Sequence, residues 1–135
     1  MTAQMAIDLF DRMNGNTLDV ESKLFWLKQL EMQITEEVIS KHVLPEDYED
    51  PDWDEFDLDS ELIIPDQYSN IYISYLGSKY HMMVSADTKR YNMAVTDFNN
   101  TYITYQQYYN RNNVPVRREV DYTRGADTAT GPLNQ

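Results

Sequence analysis

The stretch Tyr91–Arg111, YNMAVTDFNNTYITYQQYYNR, decides the fold class. Tyr91, Ala94, Phe98, Tyr102, Tyr105 and Tyr109 recur at spacings of three and four. At about 100° per residue they fall within roughly 80° of arc, which makes one apolar stripe on a helix. The other positions carry Asn, Thr and Gln where Lys and Glu are usual, and Asp97 is the only charge between Arg90 and Arg111. Asn and Thr lower helix propensity by up to roughly 0.7 kcal/mol each relative to Ala. A long helix of poor formers draws its stability from packing. Two readings of the outer face stay open: it packs on another subunit, or it is a polar face in water. On the first reading the candidate subunit contacts are Met93, Asn100, Ile103, Gln107 and Tyr108.

Upstream, Pro65 and Asp66 open a helix predicted to run to about Val84. Tyr68, Ile71, Tyr72, Tyr75, Leu76, Lys79 and Met83 make its contact face. Gly77 at mid-helix costs about 1 kcal/mol relative to Ala, and it suits a close helix contact. Ser85-Ala86-Asp87 breaks the helix, and Asp87 caps the next one, so residues 66–111 read as an antiparallel helical hairpin. Nearer the N-terminus, Thr2 caps a helix over 3–13 with Ala6, Leu9, Phe10 and Met13 on one face. Asn14-Gly15 is expected to end it through a left-handed glycine. Asp19 caps a helix to about Lys41, with Val20, Leu24, Leu27, Leu30, Ile34 and Val38 as its stripe. Lys23, Lys28, Glu31, Glu36 and Glu37 are assigned to its solvated faces, and Phe25 and Trp26 to packing beside the stripe.

The formal charge of −12 is concentrated in one segment. Ten acids lie between Glu46 and Glu61, and no Lys or Arg occurs between Lys41 and Lys79; the other 13 acids nearly balance the 11 bases. Phosphate contacts need clustered Lys and Arg, so attraction of the whole body to nucleic acid is not expected, and repulsion stays open. This segment has no helical period, and Tyr48, Trp53 and Phe56 are spaced through it as anchors. Leu62, Ile63 and Ile64 read as an extended run laid on the bundle. Beyond Asn112, Val114, Val116, Val120 and Tyr122 alternate with charged residues, which predicts an extended arm. The fold expected is therefore all-α: a small helical bundle with a long antiparallel hairpin, an acidic irregular insert over 44–61 and an extended C-terminal arm. Residues 1–112 form the helical domain and 113–135 the arm.

The chemistry available is narrow. There is no Cys, which excludes thiol catalysis, disulfides and thiolate metal sites. Asp50, Asp52, Asp54 and Glu61 occupy positions 1, 3, 5 and 12 of a calcium-loop template. The template's glycine is replaced by Glu55, however, and its apolar position by Asp57. His42 and His81 are the only histidines and read as structural. With four glycines there is no phosphate-binding loop, and no G-x-S-x-G marks a nucleophile. Neither a catalytic site, a cofactor nor a metal is implied. No apolar run approaches the 18 or more residues of a membrane span, and a basic-then-apolar leader is lacking, so a soluble chain made in a cytoplasm is expected.

The run KLFWLKQLEMQITEEVISKH resembles the second helix of tailed-bacteriophage head–tail connector proteins, also called adaptor or head-completion proteins. Leu62, Pro65 and Tyr68 match that family's Leu-x-x-Pro-x-x-Tyr entry to the next helix. Tyr75-Leu76, Arg90-Tyr91-Asn92, Phe98-Asn99 and Tyr108–Arg111 follow in the family's order. The similarity covers roughly residues 3–43 and 61–115; the insert at 44–60 is more charged, and the tail beyond Pro115 longer, than the family's pattern. The resemblance implies a non-enzymatic virion protein made in the host cytoplasm. It implies a ring, typically of twelve copies, that sits under the portal, extends the DNA channel without binding DNA specifically, and docks a neck, stopper or tail protein. On that basis Val114, Val116, Arg117, Arg118, Val120 and Tyr122 are the candidate arm toward the portal or another neighbour. The alternative is an acidic inhibitor or interaction protein that mimics DNA. That would need acids spread over a rigid face, and here they crowd into one proline-punctuated loop.

Overall fold

The structure, a computed structural model, describes residues 1–116; the expectations for Arg117, Arg118, Val120 and Tyr122 lie outside the described residues. Helix starts follow the side-chain caps. Thr2 Oγ1 accepts from the Met5 amide at 3.2 Å and opens α1 (Ala3–Met13). Asp19 accepts from the Ser22 amide at 3.3 Å and opens α2 (Val20–Glu37). A 3-10 turn at Asp66–Tyr68 leads into α3 (Asn70–Met83). Asp87 accepts from the Arg90 amide at 3.1 Å and opens α4 (Thr88–Asn112). Each cap satisfies an amide that the first helical turn leaves without an internal partner. Among the described residues, β pairing is confined to two isolated antiparallel bridges, Thr2–Glu61 and His42–Pro115, so the class is all-α.

Helix α3 is the centre. It touches the other three helices and buries Ile71, Tyr72, Ile73, Leu76, Ser78 and His81, which together span most of its circumference. Ala6, Ile7 and Phe10 of α1 and Leu27, Leu30 and Ile34 of α2 close the core. The acidic segment lies across this bundle by its backbone. Ser60 and Leu58 carbonyls accept from the Ala3 and Gln4 amides at 3.0 and 2.9 Å, and the Leu62 amide donates to the Met1 carbonyl at 2.9 Å. Leu62 and Ile64 are buried beneath it.

Several expectations change. α1 ends at Asn14, with φ −136 and its amide bonded to Phe10 O at 2.8 Å, and neither Gly15 nor Gly77 adopts positive φ. α2 stops at Glu37, and a 3-10 turn continues it over Ile39–Lys41. Phe25 is exposed, while Trp26 is buried. Lys23 and Glu31, read as solvated, are 2 % and 1 % exposed. The physical reason is their phase: Lys23 and Glu31 sit four residues either side of Leu27, on the stripe itself. Lys23 Nζ lies 2.7 Å from Asp11 Oδ1 and ties α2 to α1.

The Glu31 carboxylate holds three elements together. Oε1 accepts from the Ile63 amide at 2.8 Å, and Oε2 accepts from the Tyr72 hydroxyl at 2.7 Å. The same hydroxyl accepts from the Ile64 amide at 2.9 Å. Burial pushes the Glu31 carboxyl up from an ordinary 4.5 to about 7, overcoming the opposing pull of Tyr72 and Ile63. Burial, and then the Glu31 charge, drive the Tyr72 hydroxyl far above its usual range, so it stays a donor. The folded chain thus holds the Glu31 proton more tightly than the unfolded chain. That contribution to stability is complete below pH 4.5 and is lost as the pH rises through 7. The loss is about 3 kcal/mol at 1.36 kcal/mol per pH unit. Denaturant unfolding of the wild type at pH 5 and pH 8 will register this loss, and Glu31→Gln will remove most of it; an equal loss in the variant would contradict the assignment.

The turn between α3 and α4 puts Ala86 at φ 54, a left-handed conformation that costs a non-glycine residue roughly 1–2 kcal/mol. Ala86→Gly is therefore expected to raise stability by about 1 kcal/mol in the same unfolding assay.

Candidate assembly surface

Helix α4 has 25 residues, yet only Tyr102 and Tyr105 are buried. Its inner stripe meets α3 through a run of rings. Tyr75 and Phe98 lie 5.5 Å apart by centroid, and Phe98 and Tyr102 are 5.3 Å apart and stacked. Tyr68 lies 5.9 Å from Tyr105 and 5.3 Å from Tyr108. Pairing of 75 with 98 and 68 with 105 means that the two helices run antiparallel. The Tyr102 hydroxyl donates to Glu37 Oε1 at 2.9 Å, so it also reaches the end of α2. Burial raises its ionisation well above the usual tyrosine value, as it does for Tyr105.

The opposite face is different. Met93, Thr96, Asn100, Ile103 and Gln107 span roughly 80° of arc, centred half a turn away from the tyrosine stripe. All five are exposed. Met93 is 59 % and Ile103 52 % exposed. The threonine hydroxyls are satisfied at home: Thr96 and Thr104 donate to the Asn92 and Asn100 carbonyls, each at 2.9 Å. The face therefore offers two apolar side chains, threonines and neutral amides, with the exposed Lys89 and Arg111 on the same arc at its two ends. Tyr108 sits on the flank, half-buried against Tyr68 and Tyr105. Beside this face runs a groove of about 590 Å³ between α3, α4 and the end of α1, lined by Met13, Ile73, Gly77, His81, Met93 and Ala94 among others. Met82, Met83 and Val84 stand exposed at the end of α3.

Of the arm, Val114 and Val116 fall within the described residues. The Val43 amide donates to Val114 O at 2.7 Å and the Val116 amide to Lys41 O at 2.9 Å, so these two positions pair within their own chain. His42 is the pivot beneath them. Its Nδ1 faces Val38 O at 2.7 Å and must carry the proton there, its Nε2, left as an acceptor, lies 2.8 Å from the Asn110 side-chain amide, whose NH2 is the group that can donate to it, and its ring packs on Tyr109 at 4.6 Å. His81 Nδ1 lies 2.8 Å from Ser85 Oγ in the hairpin turn. In the acidic loop, Asp52 spends an oxygen on the Asp54 amide (3.1 Å), and Glu61 lies 3.5 Å from the Met1 ammonium. Among the described residues, no group of three or more His, Cys, Asp or Glu is arranged to hold a metal ion, and no helix is long and apolar enough to cross a membrane.

No family model, no curated protein and no solved structure matches the chain.

The two hairpin helices approach closely where Gly77 meets Ala94, but the contact does not require a glycine. A Cβ at position 77 would lie 3.6 Å from Ala94 Cβ and 3.9 Å from Phe10 Cε1, ordinary contact distances. Gly77→Ala is expected to stabilise the chain by about 1 kcal/mol through helix propensity. A loss of stability on denaturant unfolding would show that the helices must approach more closely than this.

Proposed function

We propose that the chain is a structural, non-enzymatic subunit of a tailed-bacteriophage head–tail connector, an adaptor that closes into a ring beneath the portal. The observation that carries this reading is the outer stripe of α4. A face of Met93, Ile103, threonines and neutral amides between Lys89 and Arg111 offers both apolar area and directional partners to a neighbouring copy. Amides and tyrosines suit a wet, specific interface, in which each group needs a directional partner. Using both sides of one helix, one inward and one toward a sibling, fits subunits that repeat around an axis. The order of motifs that resembles the connector family supports the same reading. Such a ring would extend the DNA channel and present a platform to a neck, stopper or tail protein. Facing the channel, the ten-acid segment would repel phosphate and let DNA pass without being held; facing outward, it would serve solubility.

The test is assembly against folding. Met93→Glu and Ile103→Glu place a charge on an exposed face, where substitutions move stability by only about ±0.5 kcal/mol. Electron micrographs of the purified wild type should show closed rings, and either variant should show none while keeping the wild type's helix content and a single cooperative unfolding transition. Intact rings from both variants would make the outer stripe a solvent face.

A further inference from the structure

The outer stripe of α4 has a counterpart of opposite sign on α2. Glu21, Phe25, Gln29, Met32 and Glu36 fall within roughly 80° of arc, half a turn away from Leu27 and Ile34 in the core. All five are exposed, Phe25 by 56 % and Met32 by 44 %. Each helix therefore carries two large exposed apolar side chains between charged ends, acids on α2 and the bases Lys89 and Arg111 on α4. Among the described residues, none of these four charged groups has an ion-pair partner. The flanks repeat the opposition: Lys28 lies beside the α2 stripe and Asp97 beside that of α4. Arg90, on the same flank as Asp97, is 3.6 Å from Asp87 in its own chain.

Both helices turn their inner stripes toward α3 and the core, so the two outer stripes point away from it and cannot meet within one copy. The signs then discriminate between ways for two copies to meet. Two α4 stripes laid antiparallel about a two-fold axis, in full overlap, set Lys89 of each copy beside Arg111 of the other. Two α2 stripes laid the same way set Glu21 beside Glu36. Like charges so placed oppose association. An α2 stripe on an α4 stripe instead brings acids to bases and apolar groups to apolar groups. The lengths suit this pairing. At 1.5 Å per residue the two acids are about 22 Å apart and the two bases about 33 Å, and the long stems of Lys and Arg span the remaining 5 Å or so at each end.

We propose that the outer stripe of α2 on one copy docks on the outer stripe of α4 on the next, with Phe25 and Met32 against Met93 and Ile103, and Glu21 and Glu36 against Lys89 and Arg111. This rests on the self-assembly reading above and adds which face receives α4. Two different faces make the contact, so it is head-to-tail, the kind that closes into rings and that a two-fold dimer does not complete. Each subunit gives α4 to one neighbour and α2 to the other.

Two full-length charge-reversed variants test it by sedimentation at low salt. One carries Lys89→Glu and Arg111→Glu; the other carries Glu21→Lys and Glu36→Lys, all at exposed positions. Thermal melts establish that both are folded. The wild type should assemble, and each variant alone should associate at least about tenfold more weakly, because acids then face acids or bases face bases. A one-to-one mixture should recover assembly, because every contact between unlike variants again pairs opposite charges. Raising the salt should narrow the gap between the wild type and each variant. If both variants assemble like the wild type, or the mixture gains nothing over either alone, the α2–α4 contact is wrong while self-assembly stands. If the wild type stays a monomer at every concentration, self-assembly fails and the contact fails with it.

Discussion

A single buried carboxylate sets the geometry on which the surface features depend. Glu31 is placed inside the bundle by the phase of α2 and receives the Ile63 amide and the Tyr72 hydroxyl. Tyr72 in turn receives the Ile64 amide. Without this set of bonds, the extended run that leaves the acidic loop would carry two amides with no partner in an apolar setting. Each such group costs about 1–3 kcal/mol. The arrangement aligns the loop's exit with the start of α3, and so with the hairpin. It also explains how a segment with ten acids stays attached to a bundle: its backbone and apolar residues are held, while its charges face outward.

The same economy appears at the other polar junctions. Lys23 with Asp11 joins α2 to α1, Tyr102 with Glu37 joins α4 to the end of α2, and His42 with Asn110 joins the end of α4 to the turn after α2. Each bond links elements whose apolar contact is modest. α4 illustrates why this matters. Two fully buried residues cannot hold a 25-residue helix built of poor helix formers, and its ring contacts and hydrogen bonds share the task. The proposed ring gives the outer stripe of α4 a partner.

How much of this was legible depends on the type of signal. The helices were readable because apolar spacing and caps coincide: Thr2, Asp19 and Asp87 start the helices that their sequence positions predict. The tyrosine stripe of α4 was readable for the same reason. Lys23 and Glu31 were missed because charge was weighed above phase. Their spacing of four from Leu27 was visible, but the partner that makes burial tolerable, Tyr72, lies 41 residues away from Glu31. Gly15 was over-read, since α1 closes through the Asn14 amide instead. Trp53 and Phe56 were legible as anchors, but not their meeting with Glu31 of α2, because that joins distant parts of the chain across the fold.

The central claim is that this chain finishes its packing against copies of itself, through the face of α4 that its own core leaves bare. The most direct measurement is the mass of the purified chain in solution across a wide concentration range. The account predicts a discrete closed assembly, a single integer multiple of 15.9 kDa that persists on dilution. A stable species of one chain at all concentrations, with α4 amides as well protected from hydrogen exchange as those of α3, would contradict it.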